Sequence, residues 1–478
     1  MNTPSMDIFN ELIHTYIAPE ETVKSISMMP SSGSHRRYYR ILLSNGKTYM
    51  GVYNEDVREN EAFYYFTSFF FHKRQKVPQL IGIHEDRQHY LLSDLGDITL
   101  YQLLTFEREG KLLGDKVTRY YKKVLEELPK WQLSAQQKMN FNYCYPREAF
   151  DRLSIQWDLN YFKYYFLKLA GIEFDEQLLE DDFQRFADFL LEADANYFLY
   201  RDFQSRNIMI QGDDLYFIDY QGGRKGPLQY DIASLLYDAK ADIAPKEREE
   251  LLQYYLQQIS LHIKIDTKKF LHYFDSFALV RILQALGTYG YRGYYEKKSH
   301  FLQSIPFALE NIRYLLEKHQ LPATVPYLTS ILEKIIQVKK LQKKEFKDNQ
   351  LTVVINSFAY KNGIPADFSP HSGGFVFDCR ALPNPGRVAE LRNFTGKDEI
   401  IIQWISQYPQ FKEFMKNSEA LLKASIDNYL ERKFASLMVN FGCTGGQHRS
   451  VYCAEKMATA LNKCYPDVHF VIYHRELE

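Results

Sequence analysis

Residues 200–210, YRDFQSRNIMI, and residues 217–223, FIDYQGG, set two aspartates and an asparagine in a fixed order. Asp202 is followed five positions on by Asn207, and Asp219 comes after a short apolar run. The strand-like segments RNIMIQ and LYFIDY flank a GDD turn, so a loop and a hairpin can aim all three side chains into one cleft. Phosphoryl transfer from a nucleotide needs such a set: a carboxylate to orient or deprotonate the attacking hydroxyl, and oxygen ligands for Mg²⁺ on the phosphates. An isolated Asp or Asn more often caps a helix or shapes a turn. Here the second Asp sits between an apolar run and a glycine pair, which favours a site.

Upstream, YYRILL (38–43) and TYMGVY (48–53) surround a turn and read as a β-hairpin, followed by a helical segment that contains Glu61. Ser32, Gly33 and Ser34 precede the hairpin and suit a loop whose backbone N–H groups approach phosphates. Arg36, Arg37 and Arg40 add positive charge there, facing phosphate or solvent. Glu61 lies where kinases place the glutamate that pairs with a phosphate-binding lysine, yet TYMGVYNED holds no lysine at the matching strand position. Helical periodicity dominates from about 100 to 195 and again from 230 to 345.

At 478 residues the chain is too long for one ordinary core. Its composition is globular, 45% hydrophobic and 25% charged, and a net charge of -1 gives no hint of a polyanionic partner. There is no signal-peptide pattern and no apolar run long enough for a membrane span. Five cysteines without a CxxC pair favour reduced thiols, so a cytoplasmic location is expected.

Residues 1–330 resemble the aminoglycoside-phosphotransferase branch of the kinase-like fold, and within it the AmgK-type anomeric kinases for N-acetylmuramate and N-acetylglucosamine. The resemblance runs through GSHRRYYRI, LLSDLGD, YRDFQSRNIM and FIDYQGGRKGPLQYDIASLLYDA, the last being the most specific. It implies that Asp202 is the catalytic base, that Asn207 and Asp219 hold Mg²⁺, and that the backbone from Ser93 to Leu95 holds the adenine of ATP. It also implies a structural role for Asp231, bracing the catalytic loop. Tyr200 stands where the family usually has histidine, and can pack and donate a hydrogen bond in its place. Asp158, in WDLNYF, is a candidate for holding a sugar hydroxyl, with a surface helix residue as the competing reading.

A lysine-rich helix or linker (331–350) separates this region from a segment of different character. In residues 351–478, β-runs alternate with helical stretches, the pattern of a small α/β domain with a mainly parallel sheet. Its FGCTGGQHRSVYCAE stretch ends a β-run at Gly442 and enters a helix at Arg449. Two glycines, a helix N-terminus and an arginine suit an anion such as a phosphorylated metabolite. Cys443 to Arg449 also fits C-x5-R, the loop of cysteine-dependent phosphatases.

Residues 351–478 resemble the RapZ C-terminal domain, an adaptor that senses glucosamine-6-phosphate and binds a small RNA, through SFAYKNGIP, FVFDCRALPNP, LRNFTGKD and GCTGGQHRSVYCAE. The resemblance implies phosphosugar binding by Thr444, Gly445, Gly446, His448 and Arg449, with Lys361 and Arg380 nearby. Gly386 stands where that family often has histidine. RNA binding gains no support from charge, because residues 351–478 carry 14 basic and 13 acidic residues. The expectation is therefore an α/β two-domain protein, a bilobal kinase-like α+β fold followed by the small α/β domain. Its function would be to phosphorylate an amino-sugar hydroxyl with ATP and Mg²⁺ beside a phosphosugar-sensing module. The alternative is a kinase-like scaffold that serves as an RNA- or protein-binding adaptor.

Overall fold

The computed structural model describes residues 3–30, 36–108, 112–136, 138–318, 321–322, 324–338, 341, 350–365 and 374–477. The chain forms two compact units, Met1–Thr288 with Phe307–Val338, and Tyr289–Pro306 with Lys339–Glu478. Part of the expected linker is the helix Pro326–Gln337; residues 339–340 and 342–349 of it lie outside the described residues.

The first unit opens with α1 (Thr3–Tyr16), β1 (Val23–Met28), β2 (Arg37–Leu43), β3 (Thr48–Tyr53), α2 (Val57–His72), β4 (Leu80–Ile83) and β5 (His89–Ser93). The strands make one antiparallel sheet in the order β1-β2-β3-β5-β4. The expected hairpin is present: β2 and β3 join through a turn in which Gly46 takes φ +84°, a left-handed conformation natural to glycine. Alternation in β2 turns Tyr39, Ile41 and Leu43 inward against Phe9, Leu12 and Ile13 of α1. Asp56 caps α2 by accepting from the Glu59 N–H, and this sets which α2 residues face which side.

The helical lobe follows with α3 (Leu100–Glu107), α4 (Gly114–Gln132), α5 (Arg152–Phe162) and α6 (Glu176–Leu191), then the short strands β6 (Tyr197–Leu199), β7 (Ile208–Gln211), β8 (Asp214–Phe217) and β9 (Arg224–Gly226). After them come α7 (Leu228–Leu236), α8 (Pro245–Ser260), α9 (Thr267–Gly290), α10 (Ile305–Glu317) and α11 (Pro326–Gln337). Trp131 of α4 is fully buried, with ring centroids of Phe70, Tyr200, Phe217 and Tyr220 at 4.2 to 5.8 Å. This aromatic cluster ties α2 to the β7–β8 hairpin and supports the loop bearing Asp202 from below.

The second unit carries β10 (Thr352–Ala359), β11 (Gly374–Asp378), α12 (Glu399–Ser406), α13 (Pro409–Glu431), β12 (Ser436–Cys443), α14 (Arg449–Cys464) and β13 (His469–His474). Its four strands are all parallel in the order β11-β12-β10-β13. Every residue of β10 and β12 is buried, as befits central strands of a parallel sheet. Among the described residues no helix is long and apolar enough to cross a membrane.

Candidate functional site

The Asp202 loop leaves β6 through a strained backbone, with Arg201 at φ +84°, and is held from three sides. Asp231, fully buried in the first turn of α7, accepts from Tyr200 N at 2.8 Å and Arg201 N at 3.0 Å. Burial pushes its carboxyl up to about 7, against the downward pull of those two N–H donors. Tyr200 donates its hydroxyl to Ile218 O at 2.6 Å, locking the loop to the strand end just before Asp219. The Arg201 guanidinium forks onto Asp158 at 2.8 and 2.5 Å and lies over the Phe150 and Tyr230 rings.

So braced, the three residues read from the sequence come together. Asn207 Nδ2 donates to Asp202 O at 2.9 Å and to Asp219 Oδ2 at 3.2 Å. Asp219 takes φ +71°, and its Oδ1 accepts from Gln221 Nε2 at 2.8 Å. Asp219 is open to solvent at its surface, yet the protein packed around it desolvates the carboxyl, and this first, with the Asp202 charge second, pushes it above the ordinary aspartate range. A cation would relieve both effects. The Asp219 carboxylate with the Asn207 amide oxygen makes a hard donor set, which fits Mg²⁺. The Asp202 side chain remains 46% exposed, and Arg281 Nη2 approaches its Oδ1 at 3.3 Å. Arg281 is buried in α9, fixed by Ser234 Oγ at 3.0 Å and by Gln284.

Three expectations need correction here. Glu61 turns away and pairs with Arg87 at 2.7 Å, both groups partly exposed. Glu59 faces the site instead: Gln221 Nε2 lies 3.4 Å from its Oε1, and Asn54 holds its Oε2 at 2.8 Å. Two residues along a helix are about 200° apart, so one of the two glutamates had to point elsewhere. Asp158 is buried with both oxygens taken by Arg201, so it positions the loop and does not face a substrate. At the hinge, the Ser93 N–H goes to Gln79 O at 3.0 Å and its hydroxyl accepts from Gln79 N at 2.9 Å. These bonds take the Ser93 N–H and hydroxyl, so a ligand contact would fall to the Ser93 carbonyl and to the backbone as far as the buried Leu95. Ser32, Gly33 and Ser34 lie outside the described residues. The residues missed in the sequence are Glu59, Arg201 and Arg281. For Arg281 a signal was present, a charge inside the apolar run FALVRILQAL.

In the second unit, Lys361 follows β10, Arg380 follows β11, and the 444–449 loop follows β12, three adjacent parallel strands. All of them therefore stand at the carboxyl edge of one sheet, where open parallel sheets bind ligands. Thr444 and Gly445 are exposed. Gly446 takes φ +71°, and a Cβ there would come within 2.9 Å of Ala359 N. Arg449 is buried at the start of α14; its Nη1 donates to Arg380 O and Leu382 O, both at 3.0 Å, and its Nη2 to Thr444 Oγ1 at 3.4 Å. Its Nε, like His448 Nε2, is buried without a hydrogen-bond partner among the described residues. Burial holds the His448 imidazole below its usual pKa. Arg380 itself pairs with Asp378 at 2.6 Å and stacks on Tyr360. Gly386 lies beside His448, a Cβ there falling 3.6 Å from the imidazole, so a side chain at 386 would border the loop. The Cys443 thiol is 3% exposed, accepting from Gly446 N at 3.2 Å and lying 3.1 Å from Ser450 Oγ.

Residues 29–264 match the phosphotransferase enzyme family, and residues 351–478 match the RapZ C-terminal domain. A nucleotide-binding protein of Aeromonas hydrophila is 40% identical over 147 residues, 31% of this chain and 48% of that protein. One from Staphylococcus epidermidis is 34% identical over 160 residues, 31% of this chain and 51% of that protein. The chain thus spans about half the length of the curated relatives it matches. Among solved structures, choline kinase from Cryptosporidium parvum Iowa II aligns with a TM-score of 0.46 and 13% identity, over 69% of this chain and 99% of that one. The gentamicin complex of APH(2")-IIa aligns with a TM-score of 0.44 and 14% identity, over 66% and 96% respectively. The two family matches thus fall on separate stretches of the chain, the phosphotransferase enzyme family on the first unit and the RapZ C-terminal domain on the second.

Proposed function

We propose that the first unit is an ATP- and Mg²⁺-dependent kinase that phosphorylates an amino sugar such as N-acetylmuramate or N-acetylglucosamine, at the anomeric hydroxyl. The convergence of Asp202, Asn207 and Asp219 carries this reading. Asp202, the loop carboxylate steered by Arg281, receives the acceptor hydroxyl and takes its proton. Asn207 and Asp219 would hold the metal, which when bound neutralises charge on the nucleotide phosphates. Asp158, Arg201 and Asp231 keep Asp202 in place without touching substrate. The test is ATP consumption with Mg²⁺ against N-acetylmuramate, N-acetylglucosamine, glucosamine and aminoglycosides, followed by product analysis. Turnover that depends on an amino sugar is expected; binding of ATP without turnover on any acceptor would overturn the reading.

Arg281→Met removes the cation beside Asp202 without touching a metal ligand. It is expected to lower kcat about tenfold, the scale of a lost orienting contact, with the KM for ATP little changed. An unchanged kcat would remove Arg281 from the reaction.

The second unit is proposed to bind a phosphosugar, glucosamine-6-phosphate being the first candidate, at Thr444, Gly445, Gly446, His448 and Arg449, with Lys361 and Arg380 at the rim. Arg449→Lys keeps the charge but loses the planar fork, and should weaken binding about tenfold in calorimetry. Glucosamine without its phosphate serves as the control, and equal affinity of variant and wild type would exclude the arginine from the site.

A further inference from the structure

We propose that Arg36 is the cation that grips the nucleotide's phosphate chain, in place of the lysine that strand β3 lacks. The assignment rests on the kinase reading above and supplies the one positive group that reading leaves unnamed.

Arg36 stands immediately before β2 and is 5% exposed, among the most deeply buried charges of the first unit. A guanidinium carries five N–H donors. Of these, Nη1 reaches Tyr38 Oη among the described residues, at a long 3.4 Å. Nη2 lies 3.1 Å from Glu59 Oε1 but off the line of a hydrogen bond, and neither Nη2 nor Nε has a hydrogen-bond partner among the described residues. Buried polar groups are almost always satisfied, and a buried charge with idle donors is costly. An arginine so placed is built for an anion that arrives from outside the fold.

Its neighbours say which anion. Glu59, fixed by Asn54, sits between Arg36 and Gln221, and Gln221 in turn holds Asp219 at 2.8 Å. Arg36 is thus linked to Asp219 through two side chains, Glu59 and Gln221. Asp219 would hold the metal that accompanies a nucleotide's phosphates, and a guanidinium two side chains away would be within reach of the same phosphates. The Cζ atom also lies 5.7 Å from the Phe63 ring centroid, and Phe63 stacks on Tyr220 next to Asp219, which fixes the approach of the side chain. The pair Arg36–Glu59 thus performs from β2 and α2 what a strand lysine and helix glutamate perform in kinases. Arginine suits the place because its fork can meet a phosphate bidentately.

The test compares MgATP and adenosine binding by calorimetry in the full chain. Arg36→Met should weaken MgATP about tenfold or more while adenosine affinity stays within about twofold, because only the phosphate contact is lost. Arg36→Lys should recover part of the MgATP affinity. The double variant Arg36→Met/Glu59→Met removes both charges, guarding against a fold failure from an unpaired Glu59, and should still bind adenosine but not discriminate for MgATP. Equal MgATP affinity in wild type and Arg36→Met, or a parallel loss of adenosine in every variant, would overturn the assignment and leave the kinase reading standing. A wild type that binds no MgATP would overturn both together.

Discussion

Asp202→Asn is expected to lower sugar-dependent turnover by about 10²–10⁴, the range a positioned general base contributes, while MgATP affinity stays within about twofold. The substitution is close to isosteric. It keeps an oxygen at the same place and removes the negative charge that is proposed to accept the proton. The Asp202 side chain is 46% exposed, its ion pair with Arg281 spans 3.3 Å, and Ser234 and Gln284 also hold that buried guanidinium, so losing the charge costs on the order of 1 kcal/mol. Thermal stability should therefore hardly move, so a rate loss cannot be put down to unfolding. Measuring kcat and melting temperature on the same preparation decides the matter. Turnover equal to wild type would place the base elsewhere. Loss of MgATP binding together with turnover would make Asp202 a nucleotide ligand and not the base.

Legibility in the sequence divides by distance along the chain. Asp202, Asn207 and Asp219 lie within 18 positions, and the loop and hairpin that join them have local signals, so their meeting follows from spacing and turn chemistry. Tyr200 can likewise be assigned a packing and donating role from its position, and its hydroxyl does bridge to Ile218 O. The parallel sheet of the second unit is legible because central strands such as TVVINSFA are nearly continuous apolar runs. Other features depend on helix phase or on remote partners. Glu61 and Glu59 differ by two positions, and only the Asp56 cap, which starts α2, sets the phase that decides between them. Arg281 meets Asp202 across 79 residues, and Asp158 meets Arg201 across 43. No local pattern announces such pairs. Nor does any composition shift announce that residues 289–306 join the second compact unit.

Asp158→Ala is expected to destabilise the first unit by about 3–5 kcal/mol, the cost of stripping one partner from a buried ion pair, and so to lower its melting temperature by on the order of 10 °C. The cost is high because Asp158 serves more than one cation. Arg201 forks onto it, and Arg224, also buried, lies near enough for Arg201 to help burial lower the Arg224 pKa to about 10. Asp158 is the carboxylate that opposes this drift. Without it the partly buried Arg201 and the buried Arg224 are left as two mutually unfavourable charges, and Arg201 is released at the strained turn that presents Asp202. Among the described residues Arg224 then retains the Gly222 carbonyl, at 3.0 and 3.1 Å. The double variant Asp158→Ala/Arg201→Met should recover much of the stability, since removing both partners of a buried pair costs far less than removing one. Calorimetry of both variants beside an activity assay separates the two roles open to this residue. A group that only held a sugar hydroxyl would raise the acceptor KM and leave the melting temperature alone. A loop brace would lower the melting temperature, and its activity would return with the second substitution as far as the methionine side chain can pack between Phe150 and Tyr230.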